Sequence, residues 1–136
     1  MSAVHFLQKP REEHGLAMNL YRVAKNYRRH LQECEDLLPG LQPAGSGWLM
    51  LTELYLAKIE KRKMSVSGVC VSAGVPSTTG LRYLDMLMGV GMAVRIPDEN
   101  DRRRSWVRLT DAGVQTVEQM LTGFVTCIDA SQTGTR

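Results

Sequence analysis

Three consecutive arginines, Arg102, Arg103 and Arg104, are the residues of this chain whose type and spacing point most directly to a chemical task. A guanidinium carries a permanent charge and a planar fork of N–H donors that matches phosphate and carboxylate oxygens, so three in a row suit contact with a polyanion. They lie in residues 92–113, MAVRIPDENDRRRSWVRLTDAG. Two alternating apolar segments, Met92-Val94-Ile96 and Ser105-Val107-Leu109, flank the polar tip 97–104, which predicts a β-hairpin carrying the arginines at its end. Thr110 then offers an N-cap acceptor to a following helix.

A second group precedes the hairpin. Residues 67–73 and 77–88 read as two helices joined by the turn Gly74-Val75-Pro76, the pattern of a helix-turn-helix. One face of the second helix offers Ser77, Thr78, Thr79, Arg82 and Tyr83, groups that reach base edges and phosphates. Val69, Val75, Leu81, Leu84 and Leu87 would hold the unit to the body. Each polar residue also has a local account: Ser77 suits an N-cap after Pro76, and Arg82 can pair with Asp85 on an exposed face. Adjacency strengthens the first reading, because Gly89 and Gly91 end the helix and the chain runs straight into the arginine hairpin. A helix-turn-helix followed by a two-stranded wing is a winged helix.

The basic excess is local. Net charge is +3 overall, zero over residues 1–57, +5 over 58–109 and −2 over 110–136, so the middle of the chain is the anion-facing part. The cluster Lys58, Lys61, Arg62 and Lys63 closes a helix expected over 47–63, where it either complements the helix dipole or meets phosphates.

No pattern of catalysis competes with this. His5, His14 and His30 all fall in the N-terminal segment, and His14 and His30 are expected to be exposed; there is no nucleophile elbow, carboxylate pair or phosphate loop. Cys34, Cys70 and Cys127 are odd in number and widely spaced, which disfavours a disulfide framework and a zinc site. They read as small buried hydrophobes; a redox switch would need Cys34 or Cys127 exposed with a low pKa. No metal or cofactor is expected, nor an enzyme.

These residues need a body. At 136 residues, 43% hydrophobic and 23% charged, the sequence has the composition of one globular domain, 1–136. No apolar run nears a membrane span, and the N-terminus lacks a signal-type core, so a cytoplasmic protein is the default. Leu16, Leu20, Val23, Tyr27, Leu31, Cys34 and Leu38 recur at three- and four-residue spacings, predicting a helix over 10–38 with one apolar stripe. A second helix has Trp48, Leu51, Leu54, Tyr55 and Ile59 as its inner face, and Met64-Ser65-Val66 is one bridging strand. Val114, Val117, Leu121, Phe124 and Ile128 form a heptad-like seam on a last helix over 110–128. The fold class is thus mainly α with a small β-hairpin: a winged helix-turn-helix at 45–109 between long N- and C-terminal dimerisation helices. Leu16, Leu20, Val23, Tyr27 and Leu31 with Val117, Leu121, Phe124 and Ile128 are the expected homodimer interface.

At this point the sequence resembles the MarR family of bacterial winged-helix transcription regulators. The resemblance rests on Thr79, Arg82, Asp85 and Leu87, on Gly91, and above all on Arg95-x-Pro97-Asp98-x-x-Asp101-x-Arg103 running on to Leu109-Thr110-x-x-Gly113, within residues 45–128. It implies a homodimeric, sequence-specific regulator of duplex DNA, repressor in type, with each recognition helix in a major groove and each wing in the neighbouring minor groove. Carried over by position, Asp101 pairs with Arg103 to brace the wing, and an arginine of the tip, among Arg102, Arg103 and Arg104, enters the minor groove; by charge, Arg102, Arg104 and the end Lys61 to Lys63 suit phosphate contacts. It also implies a small aromatic effector between the dimer helices and the winged helix, with Trp48, Tyr55 and Tyr27 as candidate lining. The sequence departs from the family pattern at Gly80 and Leu81 in the recognition helix, and in having room for one C-terminal helix. The alternative is a winged-helix scaffold that binds protein and no DNA.

Overall fold

A computed structural model describes residues 12–133, with side chains described over 19–128. The described chain runs α1 (Glu12–Leu37), α2 (Ser46–Ile59), β1 (Met64–Ser65), α3 (Val66–Ser72), α4 (Ser77–Gly89), β2 (Ala93–Pro97), β3 (Ser105–Leu109) and α5 (Asp111–Thr133). The expected class holds: helices with one small sheet. The hairpin gains a third strand, because the bridging segment joins it in the antiparallel order β1-β3-β2.

Helix α2 is the centre of the core. Trp48, Met50, Leu51, Leu54 and Ala57 are all buried, so this helix is covered by α3, β3 and α5 on most of its circumference. Each large apolar side chain so enclosed contributes about 1.5–3 kcal/mol. Its expected inner face needs two corrections. Ile59 is 61% exposed, and Tyr55 is only half-buried. The helix also stops at Ile59 rather than at 63, since Lys61 enters the left-handed region at φ 57° and the Arg62 N–H closes on Ala57 O at 2.8 Å. Only Lys58 of the basic cluster is helical, and its ammonium donates to Leu109 O at the end of β3, 3.2 Å away.

The helix-turn-helix is built by local devices. Ser65 caps α3 by accepting the Gly68 N–H at 2.9 Å, and Gly74 makes the turn at φ 68°. Ser77 is not the N-cap of α4: Pro76 takes that place without a side-chain bond, and Ser77 is the first helical residue. Leu81, expected to hold the unit to the body, is 38% exposed, while Val69, Leu84 and Leu87 fill the core.

The long outer helices α1 and α5 pack on each other within the chain. Asn26 Nδ2 donates to Cys127 O at 3.2 Å and Cys127 Sγ to Asn26 O at 3.3 Å, and the His30 and Phe124 rings lie 6.0 Å apart. His30 is therefore buried, 5% exposed, contrary to the expectation of an exposed residue; the His14 side chain lies outside the described ones. All three cysteines are buried, and burial pushes their thiols up in pKa, away from the reactive state.

Gly80, a departure from the family pattern, has a packing reason. A Cβ there would overlap Cys70 Sγ and press on Val75 Cγ2, so the absent side chain lets α4 cross close over α3. In an exposed helix Gly→Ala stabilises by about 1 kcal/mol; here overpacking, about 1–3 kcal/mol, has the opposite sign and wins. Thermal melting of Gly80→Ala should show a lowered Tm, and adding Cys70→Ala should restore part of it. A Gly80→Ala protein as stable as the parent would remove this account.

Candidate nucleic-acid interface

The wing grows from the sheet register. Ala93↔Leu109 through Pro97↔Ser105 pair in order, which places positions 98 and 104 opposite each other at the last rung. There the Asp98 N–H donates to Arg104 O at 3.1 Å, and Arg104 Nε donates to Asp98 Oδ2 at 3.0 Å. Asp98 also accepts the Asn100 N–H at 2.9 Å, and its side chain is only 8% exposed. Asp101 accepts the Arg103 N–H at 2.9 Å, and the Arg104 N–H closes on Asp101 O at 3.1 Å. Two carboxylates thus fold the tip into a closed loop.

Asp101, expected to brace through the Arg103 side chain, does so mainly through the Arg103 backbone. The Asp101–Arg103 ion pair spans 3.6 Å with the Arg103 side chain 93% exposed, a geometry that contributes little. The stronger brace is Asp98 with Arg104, whose guanidinium also lies 4.9 Å over the Trp106 ring. The sequence pattern gave Arg104 to DNA, contained Asp98 without assigning it a role, and left out Trp106. Counting rungs outward from the hairpin would have found the pair.

Arg102 and Arg103 are left at the exposed tip. On α4, Ser77, Thr78 and Arg82 are exposed, whereas Thr79 and Tyr83 are half-buried. The N-cap residue Pro76 makes no side-chain hydrogen bond, so the first N–H groups of α4 are free of a capping side chain. Ser77 and Leu81 of α4 line one cleft of about 320 Å³ together with Arg95, Arg103 and Arg104 of the wing. The arrangement is an open, cation-walled groove between a polar helix end and a rigid hairpin. Arg95 belongs to it and was missed as a site residue. Lys63 lies elsewhere: its ammonium is 5.4 Å over the Trp106 ring.

The outer helices carry two further features. Leu20, Tyr27, Phe124 and Ile128 are each 40–44% exposed, and Val23, Leu31 and Leu121 are half-buried. Leu16 lies outside the described side chains, and Val117, expected at the interface, is instead wholly buried in the chain's own core beside α2. Tyr27, Trp48 and Phe124 line a cavity of about 440 Å³ with His30 and Met120. Tyr55 is not among its lining; its hydroxyl donates to Glu118 at 2.9 Å, which raises its pKa. Among the described residues, the buried ring atoms Trp48 Nε1 and His30 Nδ1 make no hydrogen bond.

A helix-turn-helix that passes directly into a cationic hairpin defines a winged helix. No protein-family profile and no curated protein matches the sequence. Solved structures do match it in shape. MepR of S. aureus in complex with DNA is 17% identical, aligned over 88% of this chain and 89% of its own, with a TM-score of 0.65. A MarR mutant from E. coli complexed with operator DNA is 19% identical over 82% and 77%, with a TM-score of 0.58. NadR in complex with 4-hydroxyphenylacetate is 18% identical over 93% and 82%, with a TM-score of 0.61. The fold is that of the MarR-family winged-helix regulators.

The Asp98 carboxyl is held below the ordinary carboxylate range, first by the Asn100 N–H and then, against the opposing effect of desolvation, by Arg104 and the Lys63 charge. A carboxyl with a depressed folded-state pKa stabilises above its unfolded value, and that contribution disappears as pH falls through the folded one. Exchange protection of the Asn100 amide, whose N–H the Asp98 carboxylate accepts, should therefore be high at neutral pH and collapse in acid below the ordinary carboxylate range. Asp98→Ala, which removes the acceptor, should lack it even at neutral pH. Equal protection in parent and variant at neutral pH would deny Asp98 this role.

Proposed function

We propose that this protein is a sequence-specific, duplex-DNA-binding transcription regulator of repressor type, acting in the cytoplasm as a homodimer. The observation that carries the reading is the single groove in which the N-terminal end of α4 faces the arginine wing. Ser77, Thr78 and Arg82 meet base edges and phosphates in the major groove, with Thr79 and Tyr83 steadying the same face. Arg102 and Arg103 enter the adjacent minor groove, where a narrow groove concentrates negative potential. Arg104, held by Asp98, adds a fixed charge beside the backbone. The DNA complexes of MepR and MarR, which share the fold, support this use of it.

The dimer is assigned to α1 and α5. Leu20, Tyr27, Phe124 and Ile128 are apolar groups exposed on the two helices that leave the winged helix, and a second copy covers them. The cavity beside Tyr27 and Trp48 takes a small aromatic effector whose polar group pairs with the Trp48 indole N–H. The 4-hydroxyphenylacetate complex of NadR supports that chemistry.

Anisotropy titration of labelled duplex over a salt series tests the DNA reading. Arg102→Ala with Arg103→Ala should lower affinity at least about tenfold and reduce the log–log salt slope by about 2. Arg82→Ala should cost about 1–3 kcal/mol on a selected operator and far less on random duplex. Unchanged affinity and slope would favour a protein-binding scaffold. For the cavity, 4-hydroxyphenylacetate should quench Trp48 fluorescence saturably and release the operator, with both effects reduced in Tyr27→Ala. Quenching that stays linear to high concentration would remove the effector site.

A further inference from the structure

The DNA reading uses one face of the wing, and the other is also a built surface. Side chains alternate along a strand, and residues paired across the ladder share a face. Arg95 and Ser105 turn toward α4, so Ile96 and its partner Trp106, with Val94 and its partner Arg108, turn away. Val94 and Ile96 are apolar yet 38% and 36% exposed. The inward face rests on the core through Ala93, Val107 and Leu109, and Val94 and Ile96 leave further apolar surface on the outer side.

Ile96 and Trp106 of this face, with Leu54, Ala57, Met64 and Val107, form the apolar lining of a groove of about 360 Å³ between the sheet and the end of α2. Its rim is cationic, and no carboxylate lines it: Lys58, Lys61, Arg62, Lys63 and Arg108 stand around Ile96 and Trp106. Lys58 is used by Leu109 O and Arg62 by Glu60. Lys61 and Arg108 have no ion-pair partner among the described residues, and Lys63 rides on the Trp106 ring. The early stop of α2 places three of these cations here, because the left-handed Lys61 turns the chain out of the helix and along the rim.

From this we infer that the outer face of the wing is a docking groove for an acidic peptide segment of a partner protein, one carrying an aromatic or large aliphatic anchor among its carboxylates. Two features of the groove select that chemistry together. The volume and apolar floor accept one large side chain, which a phosphate backbone does not supply. The unopposed cations on the rim call for negative charge on either side of it. A stacked base is disfavoured, because Lys63 and Arg104 already lie against the Trp106 ring. Docking here leaves the α4 side of the wing free, so a DNA-bound protein can hold a partner at the same time.

Selection from a displayed library of random dodecapeptides on the full chain, with saturating duplex DNA present, tests the inference. The counter-target is the charge-reversed variant Lys61→Glu/Arg108→Glu, whose surface positions leave the core untouched. Enriched peptides should combine Asp and Glu with one aromatic or large aliphatic residue. The synthetic consensus should lose at least about tenfold in affinity when that residue becomes Ala, and similarly on the variant or on Ile96→Ser. Circular dichroism should show both variants folded. No enrichment over the counter-target overturns the inference, as does an acidic consensus indifferent to its anchor. So does displacement of the peptide by duplex, or a loss of random-duplex affinity in Lys61→Glu/Arg108→Glu, either of which would make this face a nucleic-acid surface. Because duplex affinity is read separately, failure here and failure of the regulator reading give different results.

Discussion

Strand β3 is the constraint on which the rest of the molecule depends. It is five residues long, yet both of its edges are paired, to β1 on one side and β2 on the other, and Val107 and Leu109 are sealed into the core. Moving it would unpair backbone groups on two edges and expose apolar surface at once, which costs far more than any single contact of the wing. The wing therefore inherits its position from the core. The two-residue β1 supplies the second edge, and it comes directly before α3, so the same short pairing also sets where the helix-turn-helix starts.

A fixed hairpin needs a fixed end, and here polar chemistry does what packing cannot. The tip holds three arginines in succession, and without partners they would repel and fray. Asp98 and Asp101 consume the N–H groups of Asn100 and Arg103, and Asp98 adds a charge-assisted bond to Arg104 at 3.0 Å. Exposed ion pairs contribute about 0–1 kcal/mol, so the Asp101–Arg103 contact does not order the loop; the backbone bonds do. The result is a tip ordered before it meets a partner, which spares the entropy of arranging it on binding. Arg102 and Arg103 keep their charges outward, while Arg104 is held against Asp98 and Trp106.

Much of this was legible in the sequence, and the misses have physical causes. The winged helix could be read because each element carries its own local signal: Gly74 at a turn, alternating strands either side of a polar tip, and Thr110 at a helix start. Thr110 does cap α5, accepting the Gly113 N–H at 3.0 Å. Facing directions were harder. Periodicity places Ile59 and Leu81 on apolar stripes, but the stripe of α2 ends where Lys61 leaves the helix, and Leu81 lies over a groove. Val117 fits a heptad seam and is core nonetheless, since one spacing serves both intrachain and interchain packing. The approach of α4 to α3 at Gly80, and the pairing of Asp98 with Arg104, depend on register and crossing distance, which one-dimensional spacing does not carry.

The same local devices tie the wing to the long helices. Thr110 Oγ1 donates to Gly91 O at 2.6 Å while accepting the Gly113 N–H in the first turn of α5, and the Thr110 N–H donates to Met92 O at 3.0 Å. Lys58 adds a bond from α2 to the last carbonyl of β3. The base of the wing, the end of α4 and the start of α5 are thus one hydrogen-bonded junction without a flexible linker. A tilt of α5 must carry β3 with it, and β3 carries both walls of the wing. The cavity beside Trp48 lies between α1, the start of α2 and α5, so one of its walls is the helix that this junction ties to the wing.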